Sequence, residues 1–103
     1  MATLLSAATA TGAGSTVGIQ AGFQSVIGYG TTSSGAGSAT VNIEVCHDPS
    51  VGAWVTAGTL TLVLDSTMGA GVFDGLSLIS GWRAIRANVI AISGTGAAVT
   101  VVV

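Results

Sequence analysis

Residues 39–47 read Ala-Thr-Val-Asn-Ile-Glu-Val-Cys-His, and the alternation in this run constrains the fold more than any other feature of the chain. Val41, Ile43 and Val45 fall on one side while Thr40, Asn42, Glu44 and Cys46 fall on the other, a period of two that only a pleated strand produces. A second run, 54–64, repeats the pattern. It places Leu60, Leu62 and Leu64 on one face and Thr59, Thr61 and Val63 on the other, with Gly58 as an expected bulge or kink. Over 82–92, Ile85, Ala87 and Val89 point one way and Ala84, Arg86 and Asn88 the other. Ile90 and Ile92 then put apolar groups on the polar side, which predicts a covered outer face. A further strand is expected over 97–103, others over 15–19 and 23–29, and one more over 4–9.

The stretches between these runs carry turn residues: 10–14, 30–37, 48–53, 65–71 and 93–96. In this reading Asp65 opens a turn with Ser66 and Thr67, and Asp74 precedes Gly75 in another. Gly is abundant at 16 residues while the strong helix formers Glu, Lys, Gln and Arg are scarce, so little helix is expected. Short strands at this spacing predict an all-β, single-domain β-sandwich over residues 1–103, jelly-roll-like, with a small β-barrel as the alternative.

Charge excludes several functions. The 103 residues hold four acids and two arginines, and no lysine, against the roughly one quarter charged residues of an ordinary soluble domain. Arg83 and Arg86 cannot make a phosphate-binding patch, so nucleic acid is not an expected partner. No run approaches the about 18 apolar residues of a membrane helix, and the opening residues lack the basic region of a secretory signal and read as mature protein. Cys46 has no cysteine to pair with, which is compatible with synthesis in a reducing compartment.

Candidate chemistry is sparse. Cys46-His47-Asp48 offers a thiol, an imidazole and a carboxylate, but adjacent strand residues face opposite sides and no second His or Cys completes a zinc site. The same divergence defeats a Cys–His nucleophilic pair. Asp65 and Asp74 have no set separation for glycoside hydrolysis, and Asp48, Asp65 and Asp74 lack the spacing of a calcium loop. Glycine pairs such as Gly12/Gly14 and Gly94/Gly96 do not lead from a strand into a helix bearing Lys-Ser or Lys-Thr, so they read as turns. No catalytic, metal or cofactor-binding residue is assigned, and an enzyme is not expected. Trp54 and Trp82 each begin a strand after a loop and are the expected core anchors, with a cost of about 3–5 kcal/mol for Trp54→Ala. Soluble sandwiches guard their sheet edges with lysine, proline or charge. Here the one proline, Pro49, lies in a loop, so neighbouring copies or a larger shell are expected to cover the edges and the apolar positions Val63, Ile90, Ile92 and Val102.

One resemblance gives this a biological setting. The run Gly35 to Asp48 followed by Trp54-Val55-Thr56-Ala57-Gly58-Thr59-Leu60-Thr61-Leu62 resembles the strand, Asp-containing turn, Trp and strand order of jelly-roll modules in phage virion proteins. Gly81-Trp82-Arg83-Ala84-Ile85-Arg86-Ala87-Asn88-Val89, with the end of the chain from Ile92 to Val101, resembles their closing hairpin. These segments cover about two thirds of the sequence, and the match is to the small capsid decoration, or cement, proteins of tailed bacteriophages. The resemblance implies a non-enzymatic virion protein made in the host cytoplasm. It would form a homo-oligomer, commonly a trimer, on the outer capsid surface and bridge subunits of the major capsid protein. Similar strand-turn-Trp patterns occur in discoidin-like carbohydrate-binding modules, whose Asp-Gly-polar-polar-Trp turn is replaced here by Asp48-Pro49-Ser50-Val51-Gly52-Ala53-Trp54. The alternatives are a tail or fibre module that binds a host glycan, and a tail-tube or neck protein.

Overall fold

The computed structural model describes residues 2–19, 22–48, 50–66, 74–80 and 82–103. Its strands in chain order are β1 (Thr3–Ala8), β2 (Gly12–Ala13), β3 (Val17–Gly18), β4 (Gly22–Thr31), β5 (Ser34–Cys46), β6 (Val55–Leu64), β7 (Asp74–Ser80), β8 (Ala84–Thr95) and β9 (Ala98–Val102). They form two antiparallel sheets. One, here sheet A, has the order β1-β9-β4-β7; the other, sheet B, has the order β2-β8-β5-β6 with β3 also on β8. Taking β2 and β3 as one interrupted strand, the outermost strands pair first with last and the pairing nests inward to the β5–β6 hairpin. A long hairpin rolled over on itself in this way has the connectivity of a jelly roll, as the turn spacing predicts.

The core is the shared inner face of the two sheets. Val41, Ile43 and Val45 of β5, Leu60, Leu62 and Leu64 of β6, and Ile85, Ala87 and Val89 of β8 are all buried, opposite Leu4, Val26, Val99 and Val101 of sheet A. Sheet A makes room for the three leucines with glycines. Gly28 and Gly30 alternate inward with Val26 on β4, and a Cβ at Gly28 would meet Leu60 while one at Gly30 would meet Leu64. Large residues on one sheet fill the space left by small ones on the other, which keeps the interior at crystal-like density.

Two bulges bend sheet B where the sequence pattern changes phase. Ile43 pairs with Gly58 and Glu44 with Thr56, so Ala57 is the extra residue beside the expected break at Gly58. On β8, Thr40 pairs with Ala91 and Val41 with Val89, leaving Ile90 unpaired. The second bulge corrects the reading of 90–92: the extra residue reverses the alternation, so Ile90 stays outside while Ile92, opposite buried Ala39, turns back and packs on the core.

Other expectations are corrected as well. The loop expected at 30–37 shrinks to Thr32 and Ser33, because the crossing between sheets is tied down on both sides. Thr32 N–H donates to the Asp65 carbonyl at 3.1 Å and Ser33 N–H to the Thr95 carbonyl at 2.8 Å. β8 likewise runs on to Thr95, so the 93–96 loop reduces to a turn at Gly96 and Ala97. Asp74 and Gly75 begin β7 rather than a turn, paired with Gly28 and Ile27. The strand expected over 15–19 is only the two-residue β3, and β2 forms inside the expected 10–14 loop. Most of the 65–71 loop, with Pro49 and Phe73, lies outside the described residues.

The chain also closes two corners where an edge of one sheet meets an edge of the other. At one, Ser15 N–H donates to the Leu4 carbonyl at 3.0 Å and Gly14 N–H to the Ala87 carbonyl at 2.8 Å, which joins β1 to the β2/β3 edge. At the other, the Asp74 carboxylate of β7 accepts the backbone N–H of Thr61 on β6 at 2.9 Å. The expectation that neighbours must cover the edges therefore fails at these two points: the same chain occupies them. Asp74→Ala is expected to cost about 1–2 kcal/mol, because a charge-assisted acceptor for an edge N–H is lost. Chemical denaturation would check the magnitude, and faster amide exchange at Thr61 would locate it.

Candidate functional site

Among the described residues three surfaces remain once the core and corners are assigned. The outer face of sheet B is polar and internally satisfied. Glu44 and Arg86 are register partners, and the Arg86 Nε donates to Glu44 Oε1 at 2.7 Å while Asn88 Nδ2 donates to Oε2 at 3.2 Å. One row along, the Thr59 hydroxyl donates to Asn42 Oδ1 at 2.9 Å. Trp54 stands on this side, with the Arg86 guanidinium 4.2 Å from its ring centroid. The expected core anchor is therefore a half-buried cap on the polar face, because the extra residue at Ala57 reverses the alternation and sets Trp54 with Thr56, opposite to the core positions Leu60 and Leu62. Trp54→Ala is accordingly expected to cost about 1–2 kcal/mol, the scale of a partly desolvated cation–π contact, in place of a core-aromatic loss. An urea midpoint titration in which Trp54→Ala matched a Leu→Ala core variant would refute this placement. Trp82, in contrast, is half-buried and packs against the core cluster.

The four apolar positions expected to be covered by neighbours lie on different faces. Val63 and Ile90, 55% and 49% exposed, lie on the outer face of sheet B on either side of β5. Ile92 is on the core side. Val102 is on the outer face of sheet A, where its register partner on β4 is Ile27. Ile27 and Tyr29 are 43% and 37% exposed, and Tyr29 is the register partner of Thr100. Sequence reading missed Ile27 and Tyr29. The signal was present: Val26, Gly28 and Gly30 are the small inward residues of β4, which leaves the larger Ile27 and Tyr29 outside. Among its described residues this face carries no carboxylate, arginine or histidine. Its small neighbours are Ser25, Gly75, Ser77 and Thr100.

The third surface is a cleft of about 490 Å³ at one end of the sandwich, lined by His47, Asp48, Val51, Ala53, Val55 and Trp82. The 48–53 loop that forms it is a closed turn. Val51 N–H donates to the Asp48 carbonyl at 3.1 Å, and Gly52 takes φ +75°, a left-handed conformation suited to glycine. Asp48 Oδ1 accepts both the Ser50 hydroxyl at 2.7 Å and the Ser50 N–H at 3.0 Å. These two bonds, the hydroxyl first, hold the Asp48 carboxyl below the usual aspartate range, with smaller help from the charges of His47 and Arg83.

The residues weighed for catalysis are dispersed. Cys46 is fully buried while the adjacent His47 is exposed at the cleft. Asp74 is committed to the Thr61 and Gly75 amides. Among the described residues no three His, Cys, Asp or Glu side chains group as metal ligands. Comparison with known protein families, with curated proteins and with solved structures finds no match.

Proposed function

We propose that this chain is a non-enzymatic structural protein of a phage virion, a decoration protein that seats on the outer capsid surface and bridges neighbouring major capsid subunits as a homo-oligomer. The observation that carries the reading is the unequal treatment of the two outer faces. Sheet B places its ion pair, asparagines and threonines outside, whereas sheet A presents Ile27, Tyr29 and Val102 with no acid or base among its described residues. An uncharged face with an aromatic residue can be buried against a protein lattice without stranding an ion, which is how the centres of stable interfaces are composed. A bridging oligomer also needs two contact surfaces, one for its copies and one for the shell. The separation of Val63 and Ile90 from Ile27 and Val102 supplies two. Each contact is small, and a symmetric shell multiplies it through avidity, so that bound protein stabilises the shell by mass action.

The test is co-sedimentation of the protein with purified capsid shells. Ile27→Asp is expected to weaken shell binding at least about tenfold, since a carboxylate must be desolvated in the contact. Its melting temperature should be unchanged because Ile27 is exposed. A monodisperse monomer at high concentration with no affinity for shells would overturn the reading, and rings or tubes in electron micrographs would reassign the protein to a tail or neck.

A further inference from the structure

The end cleft has no part in docking through sheet A, and its chemistry is of a different kind. We propose that it is a binding site for one pyranose ring of a neutral glycan. Its volume, about 490 Å³, lies within the range of small-molecule sites. Trp82, held in place by its packing on the core, is one of the lining residues, and Val51, Ala53 and Val55 add aliphatic surface. His47 and Asp48 are the polar lining residues, and both are exposed.

A pyranose has the same division, an apolar face of C–H groups and an edge of hydroxyls. The C–H face matches Trp82 and the valines, and the hydroxyls match a carboxylate that accepts and an imidazole that can accept or donate. Asp48 is oriented before any ligand arrives, because both bonds from Ser50 fall on Oδ1. Orientation of this kind reduces the entropy lost on binding. Competing ligand classes fit less well. A phosphate or sulfate would meet the Asp48 carboxylate, and a divalent cation would find one carboxylate where it needs six to eight oxygens. An acyl chain would match the valines but would lay hydrocarbon against an ionised group.

The experiment is an amide and indole NMR titration of the intact protein with a panel of methyl pyranosides, repeated on Asp48→Asn and His47→Ala. Both rim residues are exposed, so these variants keep the fold, whereas Trp82 packs on the core and is used only as a reporter. Saturable shifts confined to Trp82, His47 and the 50–55 segment are expected from at least one pyranoside. Asp48→Asn should weaken them about tenfold, the effect of one charge-assisted hydrogen bond. The proposal is overturned if no pyranoside gives saturable shifts or if neither rim variant changes the affinity. It is also overturned if decanoate produces the same shifts with no dependence on Asp48, which would make the cleft an acyl-chain site. Shell binding by Ile27→Asp reads a separate face, so either result can fail while the other stands.

Discussion

Leu62→Ala is expected to remove about 3–5 kcal/mol of stability, the upper part of the range for buried leucines. Leu62 is fully buried on β6, and across the core from it lies Gly28, whose missing side chain the β6 leucines replace. A Cβ at that glycine would lie 3.6 Å from the Leu62 Cδ1. Truncating the leucine opens a cavity whose far wall is backbone, and backbone paired on both sides, with Asp74 and with Val101, cannot collapse inward without breaking pairs. Small domains hold only about 5–15 kcal/mol in total, and each kcal/mol shifts the midpoint of a domain this size by about 4–8 °C. The melting temperature should therefore fall by about 12–40 °C. Calorimetry with a parallel denaturant titration would measure it, and a loss under about 1 kcal/mol would show that another group fills the space above Gly28.

Gly30→Ala should be nearly as damaging, for the opposite reason. The added Cβ would lie 2.5 Å from the Ala98 carbonyl oxygen and 2.8 Å from Leu64 Cδ2, with the Val99 Cα at 3.3 Å. Two of these atoms are backbone of β9, the strand paired with β4 at this point, so relief requires the sheet to part. A cost of about 3 kcal/mol is expected, at the high end for overpacking. Gly28→Ala is the control. Its nearest neighbour is Leu60 Cδ1 at 2.7 Å, the end of a side chain that can rotate. The entropy an alanine removes from the unfolded chain offsets up to about 1 kcal/mol, leaving a net loss of about 1 kcal/mol. Equal losses at the two glycines would refute the distinction between backbone and side-chain neighbours.

The two β6 and β5 patterns were legible because burial on one face imposes a period of two, and nothing in those segments disturbs it. The three-leucine face of β6, the valine and isoleucine face of β5, and the break at Gly58 all stand as the alternation placed them. Segments with turn composition were misread for one shared reason. Asp74-Gly75 and the glycine-rich 34–37 have the local preferences of loops, yet each is held in a sheet by partners distant in sequence: Gly28 and Ile27 for β7, Leu64 and Thr95 for the start of β5. The alternation of Leu76 with Ser77 was the available hint of β7. Trp54 was misplaced because an aromatic after a loop fits the core or the surface equally well by composition. One residue of phase decides between them.

What the sequence by itself determined is the class of fold: alternating apolar runs, abundant glycine and few helix formers leave two packed sheets as the solution that buries one face of each strand. The tertiary structure alone decided which apolar residues stay outside. A single unpaired residue at Ile90 returned Ile92 to the core, and the pairing of β4 with β9 set Ile27 beside Val102 on a face that sequence reading had not assembled. The physical reason is that periodicity records the side of a strand locally, whereas bulges and strand partners, which are long-range hydrogen-bonding choices, decide what each side faces.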